Sequence, residues 1–169
     1  YRLIPRPSAR LLRGHSSGGW STVWLAMTYP ETFGGAWASS PDPVDFRKFQ
    51  NFDLYADASA FVDKLGADRG SLRRGGKTLM TVRQETRMEQ ILGPNVTSGQ
   101  QWASWQAVFG PRSKDNKIVP MFDPITGDLN PAVREHYRGY DISERVKSAP
   151  EKYLPAFKAV LFDGATPRE

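Results

Sequence analysis

The sequence predicts an α/β fold built on a small parallel sheet. Apolar segments at residues 9–13 and 33–39 predict two short strands. Between them, a helix is predicted over residues 19–29, because apolar side chains recur at the i, i+3, i+4, i+7 spacing at Trp20, Val23, Trp24 and Met27. A strand, a helix and a strand in such close succession form a βαβ unit, and this predicts parallel pairing of the two strands.

The rest of the chain has mostly helical or irregular patterns. A last apolar segment at residues 158–162 predicts one more strand. The stretch "GSLRRGGKT" at residues 70–78 is predicted to be a basic loop, since it lacks the glycine at position 71 that a phosphate-binding loop would need. The predicted helices lie at residues 57–65, 81–92, 98–109 and 131–137.

Composition limits the classes of function. The chain has 169 residues, 39% hydrophobic and 24% charged, which suits a globular domain with a buried core. Its net charge of +5 comes from basic residues spread along the chain, which does not favour a nucleic-acid partner. No apolar run is long enough to span a membrane, and the absence of cysteine excludes disulfides and thiolate metal sites. We expect no metal and no cofactor.

The most informative motif is "GHSSG" at residues 14–18, which matches the G-x-S-x-G nucleophile elbow and is extended by Gly19. A serine presented at a sharp strand-to-helix turn holds a strained backbone, and glycines at 14 and 18 are expected to remove Cβ atoms that would collide with that turn. The predicted strand before the motif and the predicted helix after it supply the context that this motif requires.

The spacing selects Ser16 as the candidate nucleophile. Ser17 would need a glycine at position 15, which is His15. The backbone N–H of Ser17, at the start of the following helix, is the candidate oxyanion-hole donor. A glycine-rich turn without any chemical role is the alternative interpretation of the same residues.

Residues 14–50, "GHSSGGWSTVWLAMTYPETFGGAWASSPDPVDFRKFQ", resemble the nucleophile-elbow region of the α/β-hydrolase superfamily. The similarity is to bacterial serine esterases of the esterase D and polyhydroxyalkanoate-depolymerase kind, whose insertion region is also similar to "FDPITGDLNPAVREHYRGYDI" at residues 122–142. The resemblance implies cleavage of small carboxylic esters by a Ser–His–acid triad through an acyl-enzyme intermediate. It assigns Ser16 as the nucleophile.

The resemblance also implies a partial α/β-hydrolase fold with a largely helical insertion. Residues 1–43 would form the core segment with the elbow, 44–150 a lid-like helical or irregular insertion, and 151–169 a truncated return to the core. The final "FDGATPRE" has neither an aspartate at the position expected for the acid nor a following histidine. We therefore expect this chain to be an incomplete part of the enzyme, which alone lacks the base and the acid.

Four residues of the chain are considered as replacements for the missing acid or base. Asp42, at the carboxyl end of the second predicted strand, is the candidate acid, with a turn-capping role as its alternative. Asp163, which ends the last predicted strand, is weighed as another acid. His136 is weighed as the base but is expected on a solvated helix face. His15 is expected to be packed or to support the site from behind, with its ring away from Ser16. Two other functions stay open, namely a serine peptidase of the prolyl-oligopeptidase type and a non-catalytic remnant. The sequence leaves the compartment and the oligomeric state undetermined.

Overall fold

The chain has a mixed α/β fold with a small parallel sheet. A computed structural model describes residues 4–49, 51–155 and 160–163, the last four as backbone only. Short 3-10 turns lie at Pro7–Ala9 and Phe46–Lys48. The described strands are β1 (Leu11–Ser16), β2 (Gly35–Pro41), β3 (Gly70–Arg74), β4 (Lys77–Thr81) and β5 (Val160–Asp163). The described helices are α1 (Ser17–Thr28), α2 (Val82–Leu92), α3 (Gln101–Phe109), α4 (Pro131–Arg138), α5 (Ile142–Ser148) and α6 (Pro150–Tyr153).

The predicted βαβ unit is confirmed. β1 and β2 pair in parallel, with Leu11 opposite Gly35, and α1 connects them. β1 starts two residues later than predicted and continues to Ser16, while α1 ends at Thr28, before Pro30. β5 pairs in parallel with the other side of β2, which gives the strand order β1-β2-β5. The carboxyl ends of these strands therefore lie at one edge of the sheet.

The chain divides into two compact units. The first contains residues 4–45 and 141–155 with β5, and the second contains residues 46–140, position 50 apart. In the first unit, α1 buries the side chains of Val23 and Met27 against a sheet whose inner positions on β2 include Ala36 and Ala38. These small side chains let the helix approach the sheet closely.

Helices α5 and α6 were not predicted from the sequence. They belong to the first unit, where the guanidinium of Arg145 lies 4.1 Å from the ring centre of Trp24 and donates a hydrogen bond to the hydroxyl of Tyr153 at 3.2 Å. Asp141 caps α5 by accepting from the backbone N–H of Glu144. Neither helix exceeds seven residues, so the 3.6-residue period had too few turns to be visible.

Two predictions in the second unit are wrong. The expected basic loop at residues 70–78 is the hairpin β3–β4, because Gly75 and Gly76 both have positive φ, as a two-residue hairpin turn requires. The expected helix at residues 57–65 is irregular. There the side chain of Asp63 accepts from the backbone N–H groups of Leu65 and Ala67, and these bonds compete with a helix.

The other helices of the second unit agree with the predictions. Thr81 and Gln84 form a capping box at the start of α2, and Asn130 caps α4, which has Pro131 at its first position. The core of this unit is rich in aromatic side chains: Phe46, Phe49, Phe52, Phe61, Trp102, Trp105, Phe109, Phe122 and Tyr137. Burial raises the pKa of the Tyr137 phenol well above its usual value.

Candidate functional site

Ser16 has the backbone geometry that the motif predicts. It is the last residue of β1 and the N-cap of α1, and its φ of 54° and ψ of −124° lie in a region that non-glycine residues rarely adopt. Such a conformation costs on the order of 1–3 kcal/mol and is most often found at functional sites. The residue is exposed, so its hydroxyl is accessible from solvent.

The glycines around Ser16 do not all act as predicted. A Cβ at Gly14 would lie 2.1 Å from the carbonyl oxygen of Gly18, so any side chain there would collide with the backbone at the start of the helix. A Cβ at Gly18 would have no atom within 4 Å, so the steric reason expected for this glycine is wrong. Instead Gly19 is constrained, because its Cβ would lie 3.1 Å from the Cα of Pro41 on the neighbouring strand.

Ser17 lies directly after the strained residue, at the first position of α1. Its backbone N–H is among the first amides of the helix, which have no acceptor within the helix. The helix dipole adds partial positive charge at the same end. An anionic oxygen formed beside Ser16 would therefore meet a favourable field here. The structure thus positions the predicted oxyanion donor next to the predicted nucleophile.

Asp42 contacts both serines. The hydroxyl of Ser16 donates to Oδ1 of Asp42 at 3.2 Å, and the hydroxyl of Ser17 donates to Oδ2 at 2.6 Å. The backbone N–H of Asp42 also donates to the carbonyl of Ser16 at 3.2 Å. Asp42 is 8% exposed, whereas both serines are exposed, so the carboxylate lies beneath the two hydroxyls. The candidate acid thus contacts the candidate nucleophile directly.

An irregularity in β2 brings Asp42 to this position. The parallel register pairs His15 with Ser39 but Ser16 with Pro41, so Ser40 is an extra residue on β2. Ser40 has a φ of 40°, and it is the second strained serine at this edge of the sheet. The bulge shifts the end of β2 by one residue relative to β1. Asp42 consequently follows the strand next to Ser16.

The two histidines do not contact Ser16 in the described contacts. His15 is exposed on β1, so of the two roles expected for it the packed one is wrong. His136 is exposed on α4, as expected, and its Nε2 donates to the backbone carbonyl of Phe109 at 2.9 Å within the second unit. A nitrogen that donates this bond carries its proton, so it is not the acceptor that a general base needs.

Asp163 ends β5, as predicted, opposite Ser39 in the parallel register. It therefore lies on the far side of β2 from Ser16, at the same end of the sheet. Its side chain is outside the described part of the structure.

Sequence reasoning missed two contributors to this site. The Ser17 hydroxyl is only a rival nucleophile in the sequence pattern, yet it makes the shorter bond to Asp42. The second predicted strand ends at residue 39, although β2 continues through Ser40 to Pro41. The signal available was Pro41 itself, since a proline has no backbone N–H to donate to a neighbouring strand. That signal indicates an irregular strand end but does not reveal the change of register.

Other site classes find no support in the described residues. No cluster of three or more histidine, aspartate or glutamate side chains is suitably arranged for a metal ion there. None of the helices described is both long and apolar enough to cross a membrane.

Comparison of the chain with protein-family models, with curated proteins and with solved structures gave no match. The site must therefore be interpreted from its own geometry.

Proposed function

We propose that this chain carries the nucleophile of a serine hydrolase of the α/β-hydrolase type that acts on carboxylic esters. The observation that carries the proposal is the exposed Ser16, held at φ 54° between a parallel strand and a helix N-terminus. The arrangement matches what a G-x-S-x-G elbow requires. A parallel β1-β2-β5 sheet, with the serine at the carboxyl ends of its strands, is also where open α/β folds bind ligands.

In the proposed reaction, Ser16 Oγ attacks the ester carbonyl carbon while its proton passes to a base. The tetrahedral oxyanion is stabilised by the N–H of Ser17. When the intermediate collapses, the carbon–oxygen bond to the alcohol breaks and the alcohol leaves with the proton. Water then cleaves the acyl-serine ester, which releases the carboxylic acid and restores Ser16.

Asp42 orients the serine in this proposal. At 3.2 Å from the Ser16 hydroxyl, it fixes the direction of that group before the substrate arrives. A carboxylate is a weak base for a serine hydroxyl. We infer that the base is an imidazole other than His15 and His136, and that Asp42 can assist it as the acid when Ser16 turns to its substrate. This histidine is a requirement of the mechanism rather than a residue seen in the site.

The test uses a fluorophosphonate, which reacts covalently with activated serines. We expect labelling that maps to Ser16, that is lost in Ser16→Ala, and that free imidazole accelerates by supplying the missing base. Ser21→Ala, which removes an exposed hydroxyl from α1, serves as the matched control and should label within about threefold of wild type. Labelling that persists in Ser16→Ala, or that is absent even with imidazole, would refute the proposal.

The role of Asp42 has its own test. In Asp42→Asn the side chain keeps an acceptor oxygen but loses its charge, so we expect the imidazole-assisted labelling rate to fall at least about tenfold. Circular dichroism establishes that the variant keeps its fold. A rate equal to that of wild type would assign Asp42 a purely structural role while leaving Ser16 as the nucleophile.

A further inference from the structure

The second unit contains a groove with an unusual carboxylate. The groove has a volume of about 350 Å³ and lies between the hairpin β3–β4 and helices α2 and α3. We call it the Glu85 groove. Six of its lining side chains are apolar: Phe49, Leu72, Met80, Met88, Trp102 and Trp105. Its size and composition are those of a small-molecule site with few polar groups.

Glu85 is the only ionisable side chain among the described residues that line this groove. Its Oε2 accepts hydrogen bonds from the indole N–H of Trp102 at 3.0 Å and from the hydroxyl of Ser71. Both donors are neutral, and across the described chain no lysine or arginine forms an ion pair with Glu85. Both of these hydrogen bonds end on Oε2, and none to Oε1 is found in the described part of the chain. Among the residues that line the groove, the carboxylate of Glu85 therefore has no cationic partner.

The kind of ligand follows from this charge. A neutral apolar molecule would displace water from the carboxylate without offering a hydrogen bond or an opposite charge in its place, which is unfavourable. An anion would be repelled. A cation would be attracted to the carboxylate and also to the faces of aromatic rings, and the flexible thioethers of Met80 and Met88 adapt to different apolar shapes.

We propose that the Glu85 groove binds a small organic cation, a substituted ammonium with an aryl or alkyl body. The ammonium group lies against the Glu85 carboxylate, and the apolar body lies between the hairpin and α3. Leu72 is 54% exposed at the rim, so the groove is open to solvent. This site is independent of Ser16, because all of its residues belong to the second unit.

The experiment is isothermal titration of the full chain with benzyltrimethylammonium. We expect saturable binding, with benzyl alcohol and benzoate at least about tenfold weaker. Glu85→Gln keeps an oxygen that can accept from Trp102 and should weaken binding of the cation about tenfold. Leu72→Lys adds a positive charge at the exposed rim and should weaken it as well. Glu135→Gln, which removes an exposed carboxylate from α4, is the control and should bind within twofold of wild type.

The outcomes separate the proposal from ordinary hydrophobic adsorption. Absence of saturable heat with wild type would overturn it. So would equal affinity for benzyl alcohol and the ammonium, or unchanged affinity in folded Glu85→Gln. If Glu85→Gln does not fold, Leu72→Lys decides, because an exposed rim residue can be changed without affecting the core. Unchanged affinity in that variant would then contradict the proposal.

Discussion

Two nearly buried carboxylates, one in each unit, have different surroundings. In the second unit Glu89, 4% exposed, accepts from the backbone N–H groups of Trp102 and Ala103 at 2.8 and 2.9 Å. It thereby satisfies the first amides of α3. In the first unit Asp42, 8% exposed, accepts from the hydroxyls of Ser16 and Ser17. Glu89 is bound mainly by fixed backbone amides, with one longer bond from the Ser98 hydroxyl at 3.3 Å, whereas the two serines bind Asp42 through hydroxyls that can rotate.

The difference distinguishes a structural group from a potentially reactive one. Amide donors at a helix start cannot move without unfolding the helix, so Glu89 stabilises α3. Hydroxyl donors can turn toward another partner at little cost, and a hydroxyl is also a nucleophile. The backbone adds to this contrast, because the hydroxyl of Ser16 is on a strained residue. The edge of the parallel sheet therefore has the features expected of a site, and the Glu89 environment has those expected of a core.

The largest effect is expected from closing the space at Gly14. Gly14→Ala places a Cβ 2.1 Å from the Gly18 carbonyl oxygen, so either β1 or the start of α1 must move. We expect a loss of about 3 kcal/mol in the free energy of unfolding, measured by urea denaturation, together with loss of Ser16 labelling.

Gly18→Ala is the matched control for that variant. Its Cβ enters open space within a helix, so we expect unchanged stability or a gain of about 0.5 kcal/mol from the higher helix propensity of alanine. A loss in Gly18→Ala as large as in Gly14→Ala would show that the edge of the sheet is not shaped by the contact described here.

The next effect tests the second carboxylate. Glu89→Ala leaves two backbone N–H groups and the Ser98 hydroxyl without their acceptor inside the protein. We expect a loss of about 2–3 kcal/mol in the free energy of unfolding. Asp42→Ala should lose about 1 kcal/mol or less, because Ser16 and Ser17 are exposed and can bond to water instead. Equal losses, measured by urea denaturation, would remove the distinction between the two regions.

Much of the first unit could be predicted because its signals are local. The strand, the glycine-rich turn and the helix up to Pro30 follow one another along the chain, and each has its own pattern. The hairpin β3–β4 was missed because its arginines and lysine suggested a solvated loop, whereas the turn glycines determine the structure. The irregular segment at 57–65 was not predicted because its apolar residues have helical spacing. The side-chain bonds of Asp63 to nearby backbone amides, which oppose a helix, are not visible in that spacing.

The candidate site was predictable only in its local part. Ser16 and Ser17 are adjacent to the glycines that identify them, and Asp42 could be suggested from its place after a strand. Its contact with both serines depends on the bulge at Ser40, which is a property of the pairing between β1 and β2. Ser16 and Asp42 are 26 positions apart in the sequence, so no local pattern reveals this contact. The Glu85 groove is lined by residues of β3, β4, α2 and α3 and by positions 49 and 51. These are spread between positions 49 and 105, so no local pattern reveals the groove.

The smallest effect concerns a carboxylate that is fully exposed but bound to backbone amides. Oδ1 of Asp123 accepts from the N–H groups of Thr126 and Ile125 at 2.9 and 2.7 Å, and these bonds lower the pKa of Asp123. A carboxyl whose pKa is lower in the folded state stabilises the protein above its unfolded pKa, near 4. This contribution is lost as the pH falls through the lower, folded pKa.

Asp123→Asn removes this titration while keeping an acceptor oxygen. We therefore expect the variant to have a lower urea midpoint than wild type at pH 7, and the difference to shrink as the pH falls below about 4. Asp115→Asn, which removes an exposed carboxylate from another loop of the same unit, is the control and should shift the midpoint less at pH 7. A difference that persists unchanged at low pH would mean that Asp123 acts through the shape of its side chain. Amide donors would then not stabilise the ionised form of Asp123. The contrast between Glu89 and Asp42 would need a cause other than the type of hydrogen-bond donor.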